Sequence, residues 1–365
     1  MASVVYGGLD VHKESISACL INRDSGEMVE EQIANDHGRL LRAVRRWQKL
    51  GELRLCYEAS GAGYVIKRWL DKENIACEVI APSKIPKSPG DRVKTDRRDA
   101  RKLALLYGAG MLKSVRTPSQ DEESDRAIVR LRDEVTRDMT RIKNRIVKHL
   151  SRLGIRYTEG TNWTQKHRHW LQQLSLAPAE AMILHMHLDT LNHLELQRQE
   201  LDDKIAALAE GPAYRERVQR LLCLRGIQVY SAMVLLTEIG DIARFGSAPQ
   251  LMSYFGVVPS ENSSGGTRHL GGITKTGNTR GRWILGQAAW NQTRRPGSQR
   301  LRKQWRSQPP EVVAIGRKAE KRLHDRFWCI AVRKERGVAA TAVARELAGF
   351  VWAILSEPAT EVATN

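Results

Sequence analysis

The stretch VVYGGLDVHKESISACLINRDSGEMVEEQIA, residues 4–34, decides the fold of the first part of the chain. It holds three extended runs, VVYGGLDV (4–11), SISACLIN (15–22) and MVEEQIA (28–34), bounded by polar and glycine-containing turns. The turn NRDSGE (22–27) joins the last two as a hairpin. HGRLLRAVRRWQKLG (37–51) then spaces its apolar residues for a helix and stops on a glycine. LRLCYEAS (53–60) is a fourth strand, GYVIKRWLDKEN (63–74) a helix, ACEVIAP (76–82) a fifth strand and TDRRDARKLALLYGAG (95–110) another helix. The order β-β-β-α-β-α-β-α predicts an α/β sheet, an antiparallel meander continued by alternating helices and strands.

Beyond Ser124 the pattern changes. Ile128, Leu131, Val135, Met139, Ile142, Ile146, Leu150 and Leu153 recur at steps of three and four, which predicts one long amphipathic helix of coiled-coil type. A second runs from Pro178 to Glu210 through Leu184, Leu188, Leu191, Leu194, Leu201, Ile205 and Leu208, after the polar linker RYTEGTNWTQKHRHW (156–170). The two can pair within one chain or form a dimer seam. From Tyr214 a third, mainly helical unit begins. VQRLLCLRGIQVYSAMVLLTEIG (218–240) reads as helix, glycine turn, helix, either a plain hairpin or a helix-hairpin-helix-like element whose turn amides hold a phosphate. FGSAPQLMSYFGVVPSENSSGGTRHLGGITKTGNTRGRW (245–283) reads as a long loop region ending at a basic helix. Residues 282–355 are helical and rich in Arg and Lys, with Trp290, Trp305 and Trp328 between the cations, a basic surface for DNA or RNA or, for the tryptophans, a core. The fold class is therefore α/β plus all-α, in parts spanning 1–115, 120–212 and 213–365.

The chain has 365 residues, enough for two or three domains. Its 59 Lys and Arg against 41 Asp and Glu give a net charge of +18, which calls for a polyanionic partner, most simply nucleic acid. An anionic membrane surface competes, but no apolar run approaches the roughly 20 residues that span a bilayer, so no membrane partner is expected. The N-terminus lacks the basic and apolar regions of a signal peptide. Five scattered cysteines without a C-x-x-C pair exclude a zinc finger or disulfide framework and fit a reduced cytoplasm. The histidine pairs in HRH (167–169) and HMH (185–187) lack matching ligand spacing and read as surface or packing residues.

Four acids suggest chemistry. Asp96 and Asp99 share one face in the first turn of a helix, where the dipole already favours negative charge. Asp10 ends the first strand beside glycines, and Glu58 ends the fourth before a glycine-rich turn. If strands one and four are neighbours, these acids converge. Carboxylates so gathered repel unless a cation compensates. Mg²⁺ prefers carboxylate oxygens and leaves positions for phosphate, and two such ions assist in-line phosphoryl transfer. Taken singly, each acid is as well explained by structure.

GLDVHKESI (8–16), CYEASGAGYVIKRWL (56–70) and VKTDRRDARKLA (93–104) resemble the RuvC-like (RNase H) domain of DEDD transposases of bacterial insertion sequences, the group that includes the Piv invertases. LLCLRGIQVYSAMVLLTEIGD (221–241) and FGVVPSENSSGGTRHLGGITKTGN (255–278) resemble that family's second conserved region. The resemblance implies a transposase and recombinase acting on DNA, the element ends and the target. It implies metal ligation by Asp10, Glu58, Asp96 and Asp99, with two Mg²⁺ ions or Mn²⁺ in their place. It also implies a serine nucleophile matching Ser264, with Ser263 one register slip away, and glycines at 265 and 266 that admit a DNA backbone. A composite site made by two subunits, a dimer or tetramer, and in some members a noncoding guide RNA follow from the same resemblance. Lys94, Arg97, Arg268, Lys275, Arg280 and Arg282 are the expected nucleic-acid contacts, or else surface charges. Two readings compete: a RuvC-like structure-specific endonuclease using water, and a noncatalytic DNA- or RNA-binding protein with structural acids.

Overall fold

The computed structural model describes residues 3–59, 61, 63–82, 85–86, 95–263, 267 and 269–358. The chain divides into two compact units, Met1–Pro118 and Ser119–Asn365.

The first unit contains β1 (Val4–Val11), β2 (Ser15–Asn22), β3 (Met28–Ala34), α1 (His37–Trp47), β4 (Glu52–Glu58), α2 (Val65–Lys72), β5 (Ala76–Ile80) and α3 (Asp96–Gly108). The strands form one sheet in the order β3-β2-β1-β4-β5. β1–β2 and β2–β3 are antiparallel, β1–β4 and β4–β5 parallel. The predicted element order and the adjacency of strands one and four both hold. Because side chains alternate along a strand, Val5, Leu9, Leu55 and Tyr57 face one way and build a core with Leu40, Val44 and Trp47 of α1 and Ile66 and Leu70 of α2. On the other face Cys19 meets Ala100 and Ala104, and Cys56 meets Leu103, all three being α3 residues. All five cysteines are free.

The second unit begins with α4 (Gln120–Arg152), α5 (Gln165–Gln172) and α6 (Pro178–Glu210). A capping box between Ser119 and Glu122 starts α4. Arg132 Nε meets Asp202 Oδ1 at 2.8 Å and His149 Nε2 meets Glu180 Oε2 at 3.2 Å. Ascending positions on α4 thus meet descending ones on α6, and the two helices form an antiparallel pair within one chain. Val135, Met139, Ile142, Ile146 and Leu150 fill the seam with Leu184 and Leu191. Leu131 and Leu153, placed in the stripe by sequence, are exposed, and Val129 is buried instead, in the core of the helices that follow. His167 is a packing residue, stacked on Trp170 and set edge-on to Trp163.

The remaining elements are α7 (Arg215–Leu221), α8 (Val229–Ile239), α9 (Ala248–Tyr254), β6 (Pro259–Glu261), β7 (Leu270–Ile273), α10 (Thr279–Trp290), α11 (Gln299–Trp305), α12 (Pro310–Ala331) and α13 (Arg336–Ser356). Residues 245–283, expected as a long loop, carry α9 and the antiparallel β6–β7 hairpin. In the turn between α7 and α8, Gly226 has φ +84°, and a Cβ there would stand 2.6 Å from the Ala288 carbonyl oxygen. That glycine permits the close approach of α10. α13 corrects the expectation that no apolar run reaches membrane-spanning length. It has 21 residues and an 18-residue window of mean hydropathy 1.6, but half of that window is buried inside the unit. Val343, Leu347, Val351 and Ile354 are its innermost side chains.

Candidate metal centre

Gly8 positions the acids. A Cβ on Gly8 would lie 2.3 Å from the Ala100 carbonyl oxygen and 2.5 Å from the Ala104 amide nitrogen, so only glycine lets α3 lie directly on β1. Across the parallel pair, Cys56 faces Leu103, its Sγ 3.9 Å from that residue's carbonyl oxygen. Two residues further along each strand, on the same face, come Asp10 and Glu58. The register pairs Leu9 with Tyr57, so the next step sets Asp10 beside Glu58 at the C-terminal edge of the sheet. α3 starts here. The Thr95 hydroxyl accepts from the Arg98 amide and caps the helix, leaving Asp96 and Asp99 in its first turn.

Asp10, His12 and Asp96 come together, one ligand atom of each lying within 4.8 Å of the others. His12 Nε2 stands 3.1 Å from Asp10 Oδ2 and 3.3 Å from Asp96 Oδ1. Glu58 and Asp99 lie outside this group. Burial pushes the Asp10 carboxyl up from its ordinary pKa. His12 opposes the shift, and the charges of Asp96 and Asp99 add to it. Two carboxylates and an imidazole, the half-buried Asp10 with the exposed His12 and Asp96, form a donor set that fits a divalent cation. Sequence reading did not single out His12. The available signal was the Asp-x-His spacing, which sets alternate residues on one side of an extended chain. Among the described residues this is the only such group.

Lys94, Ser264 and Arg268 lie outside the described residues. Arg97 is ion-paired with Glu30. Lys275 is exposed, with φ +56°. Arg280 reaches Asp133 at 2.6 Å and Glu134 at 3.2 Å, and Arg282 donates to the Phe255 carbonyl at 2.8 Å. Ser263, near the tip of the β6–β7 hairpin, donates to Glu261 at 2.8 Å and accepts from the His269 amide at 3.3 Å. On α12 a groove is lined by five cations, Arg317, Lys318, Lys321, Arg322 and Arg326, together with Asp325 and Cys329. Arg322 and Arg326 share Glu346.

A five-stranded mixed sheet of this order, with carboxylates at the ends of β1 and β4 and at the start of a helix laid across them, is consistent with the RuvC-like fold of DEDD enzymes. A DEDD transposase profile of the IS110 type matches residues 7–155, and the profile described as "Transposase IS116/IS110/IS902 family" matches residues 218–306. Protein y4qE of Sinorhizobium fredii, which carries a transposase name, is 36% identical over 361 residues, 96% of this chain and 88% of its own. The transposase for insertion sequence element IS1533 of Leptospira borgpetersenii is 32% identical, over 90% of this chain and 96% of its own. The pilin gene-inverting protein of Moraxella lacunata is 26% identical, over 73% and 76%. The chain belongs to the IS110-type family of DEDD insertion-sequence transposases. It is a DNA-acting transposase and recombinase enzyme.

Proposed function

We propose that this transposase cuts and rejoins the strands of its own insertion sequence with divalent ions, Mg²⁺ or Mn²⁺ in its place, held by Asp10, Glu58, Asp96 and Asp99, and with Ser264 as nucleophile. The observation that carries the reading is the convergence of Asp10 and Asp96 at the end of a sheet against which α3 is locked by Gly8. When bound, divalent ions neutralise charge on the phosphoryl oxygens and activate the attacking oxygen. The carboxylates orient that centre. Ser264 Oγ gives its proton to water and bonds to phosphorus, while the P–O bond to one DNA oxygen breaks and that oxygen leaves as a hydroxyl, taking a proton from water. The phosphodiester is kept as a serine–DNA linkage, ready for rejoining to another strand. Gly265 and Gly266 leave room for the DNA backbone.

The division of labour follows the sequence: 1–115 for the acids, 120–212 as a helical spacer of coiled-coil type, and 213–365 for the serine and DNA contacts. Lys94, Arg268 and Lys275 are the direct phosphate contacts in this reading. Arg97, Arg280 and Arg282, held by the protein's own acceptors, contribute to the positive field. A dimer or tetramer works in the cytoplasm at the nucleoid, and a noncoding RNA from the element guides it. The charge of +18 supports such polyanion partners.

The test is recombination in cells carrying the whole element. Asp10→Asn, Glu58→Gln, Asp96→Asn and Asp99→Asn each abolish both excision and insertion, while the protein stays folded. Recombination that survives Asp10→Asn would overturn the reading. Cut but unjoined ends that persist in Ser264→Ala would move it to a hydrolytic nuclease.

A further inference from the structure

We infer that His12 is a nitrogen ligand of the metal site, and that the position it shares with Asp10 and Asp96 therefore favours Mn²⁺ over Mg²⁺. The inference rests on the metal-site reading above. One ring nitrogen, Nε2, faces two carboxylate oxygens at 3.1 and 3.3 Å. A neutral or protonated imidazole carries at most one hydrogen there, so it makes one good hydrogen bond and leaves the second carboxylate poorly served. A divalent cation capping the three donor atoms, above the plane they define, would serve all of them. In an octahedral site with bonds of about 2.1 Å, neighbouring donor atoms are about 3.0 Å apart. The two separations from Nε2, 3.1 and 3.3 Å, are close to that, and the Asp10 and Asp96 oxygens lie within 4.8 Å of each other.

The position of His12 is built into the backbone. Its amide donates to the Ser15 carbonyl at 2.9 Å, its carbonyl accepts from Asn35 Nδ2 at 2.8 Å, and the Asn35 amide donates to Glu14 at 3.0 Å. The turn after β1 is thereby tied at both sides and delivers the ring to the acids. Mg²⁺ selects oxygen donors and retained water, whereas imidazole suits first-row transition ions. An N,O,O triangle is a selectivity device on a scaffold otherwise made of carboxylates.

The probe is Mn²⁺ itself, bound to the full-length protein and read by pulsed electron paramagnetic resonance. Wild type is expected to show a coupled ¹⁴N nucleus that becomes ¹⁵N on histidine labelling. In His12→Gln the coupling disappears, Mn²⁺ binds about 10-fold more weakly, and Mg²⁺ affinity changes little. His12→Asp, with an oxygen donor in place of the ring, shifts preference back towards Mg²⁺. Mn²⁺ bound to wild type without nitrogen coupling, or a coupling that survives His12→Gln, overturns the role of His12 and leaves the acid site standing. No saturable Mn²⁺ binding in wild type, or binding indifferent to Asp10→Asn, overturns both.

Discussion

Gly8 and Ala100 are in backbone contact: a Cβ on Gly8 would come within 2.3 Å of the Ala100 carbonyl oxygen. The nearest obstacle is helix backbone and cannot rotate aside. This contact fixes the height of α3 above the sheet, and with it the distance from Asp96 to Asp10.

Gly8→Ala should therefore lift α3 and open the acid group. Overpacking of this kind costs about 1–3 kcal/mol. The expected outcome is a modest fall in Tm and a disproportionate loss of recombination and of Mn²⁺ binding. Gly61→Ala makes the control, since a Cβ there meets nothing within 4 Å. Equal loss of activity in both variants would detach the Gly8 contact from site geometry.

Asp10→Asn separates stability from function. Burial and two neighbouring carboxylates disfavour the Asp10 charge. Without divalent ions the variant should match or exceed the wild type in Tm, measured by calorimetry at pH 7. Adding Mn²⁺ should raise the wild-type Tm and leave the variant unmoved. Recombination should fall by about 100-fold or more, beyond the 10–100-fold loss common for outer-shell changes.

Glu238 gives the second unit an acid limit. Its carboxylate is buried, receives Arg130 Nε and Nη2 at 2.8 Å each, and accepts from Asn278 Nδ2 at 2.7 Å. Burial raises its pKa, but the Arg130 and Asn278 hydrogen bonds outweigh it and hold the carboxyl below the ordinary 4.5. A depressed folded value means that the unfolded chain binds the proton first. The stabilisation is full above about pH 4.5 and is lost as pH falls through the lower folded value. Arg130 is 42% exposed, so removing Glu238 leaves a cation that water reaches, and the cost falls below the about 3–5 kcal/mol of a fully buried pair. Glu238→Ala should lower Tm at pH 7 and flatten the decline of stability below pH 4.5.

The sheet, the place of Asp10 near the end of β1 and that of Asp96 at the start of α3 were legible in sequence because strand alternation and helix spacing are local signals. The run from Val4 to Ala34 shows both the meander and the end position of Asp10. His12 was not, because its meaning depends on Asp96, which only the packing of α3 on Gly8 brings near. The ion pairs of Arg280 were not legible because its partners, Asp133 and Glu134, lie far back in the sequence on α4. α9 and the β6–β7 hairpin were hidden by the surrounding glycines and serines, which resemble loop composition. In α13, Arg345 and Glu346 break the apolar run in sequence. In the fold they are half-buried, and Glu346 is paired with α12.

The most direct measurement is of protein covalently joined to DNA in cells carrying the element with its flanks, with the attached residue located by mass spectrometry. The account predicts a wild-type adduct on the peptide containing Ser264, lost in Ser264→Ala and in Asp10→Asn. An adduct that survives Ser264→Ala, or element ends cut with Asp10 required and no adduct formed, would contradict it.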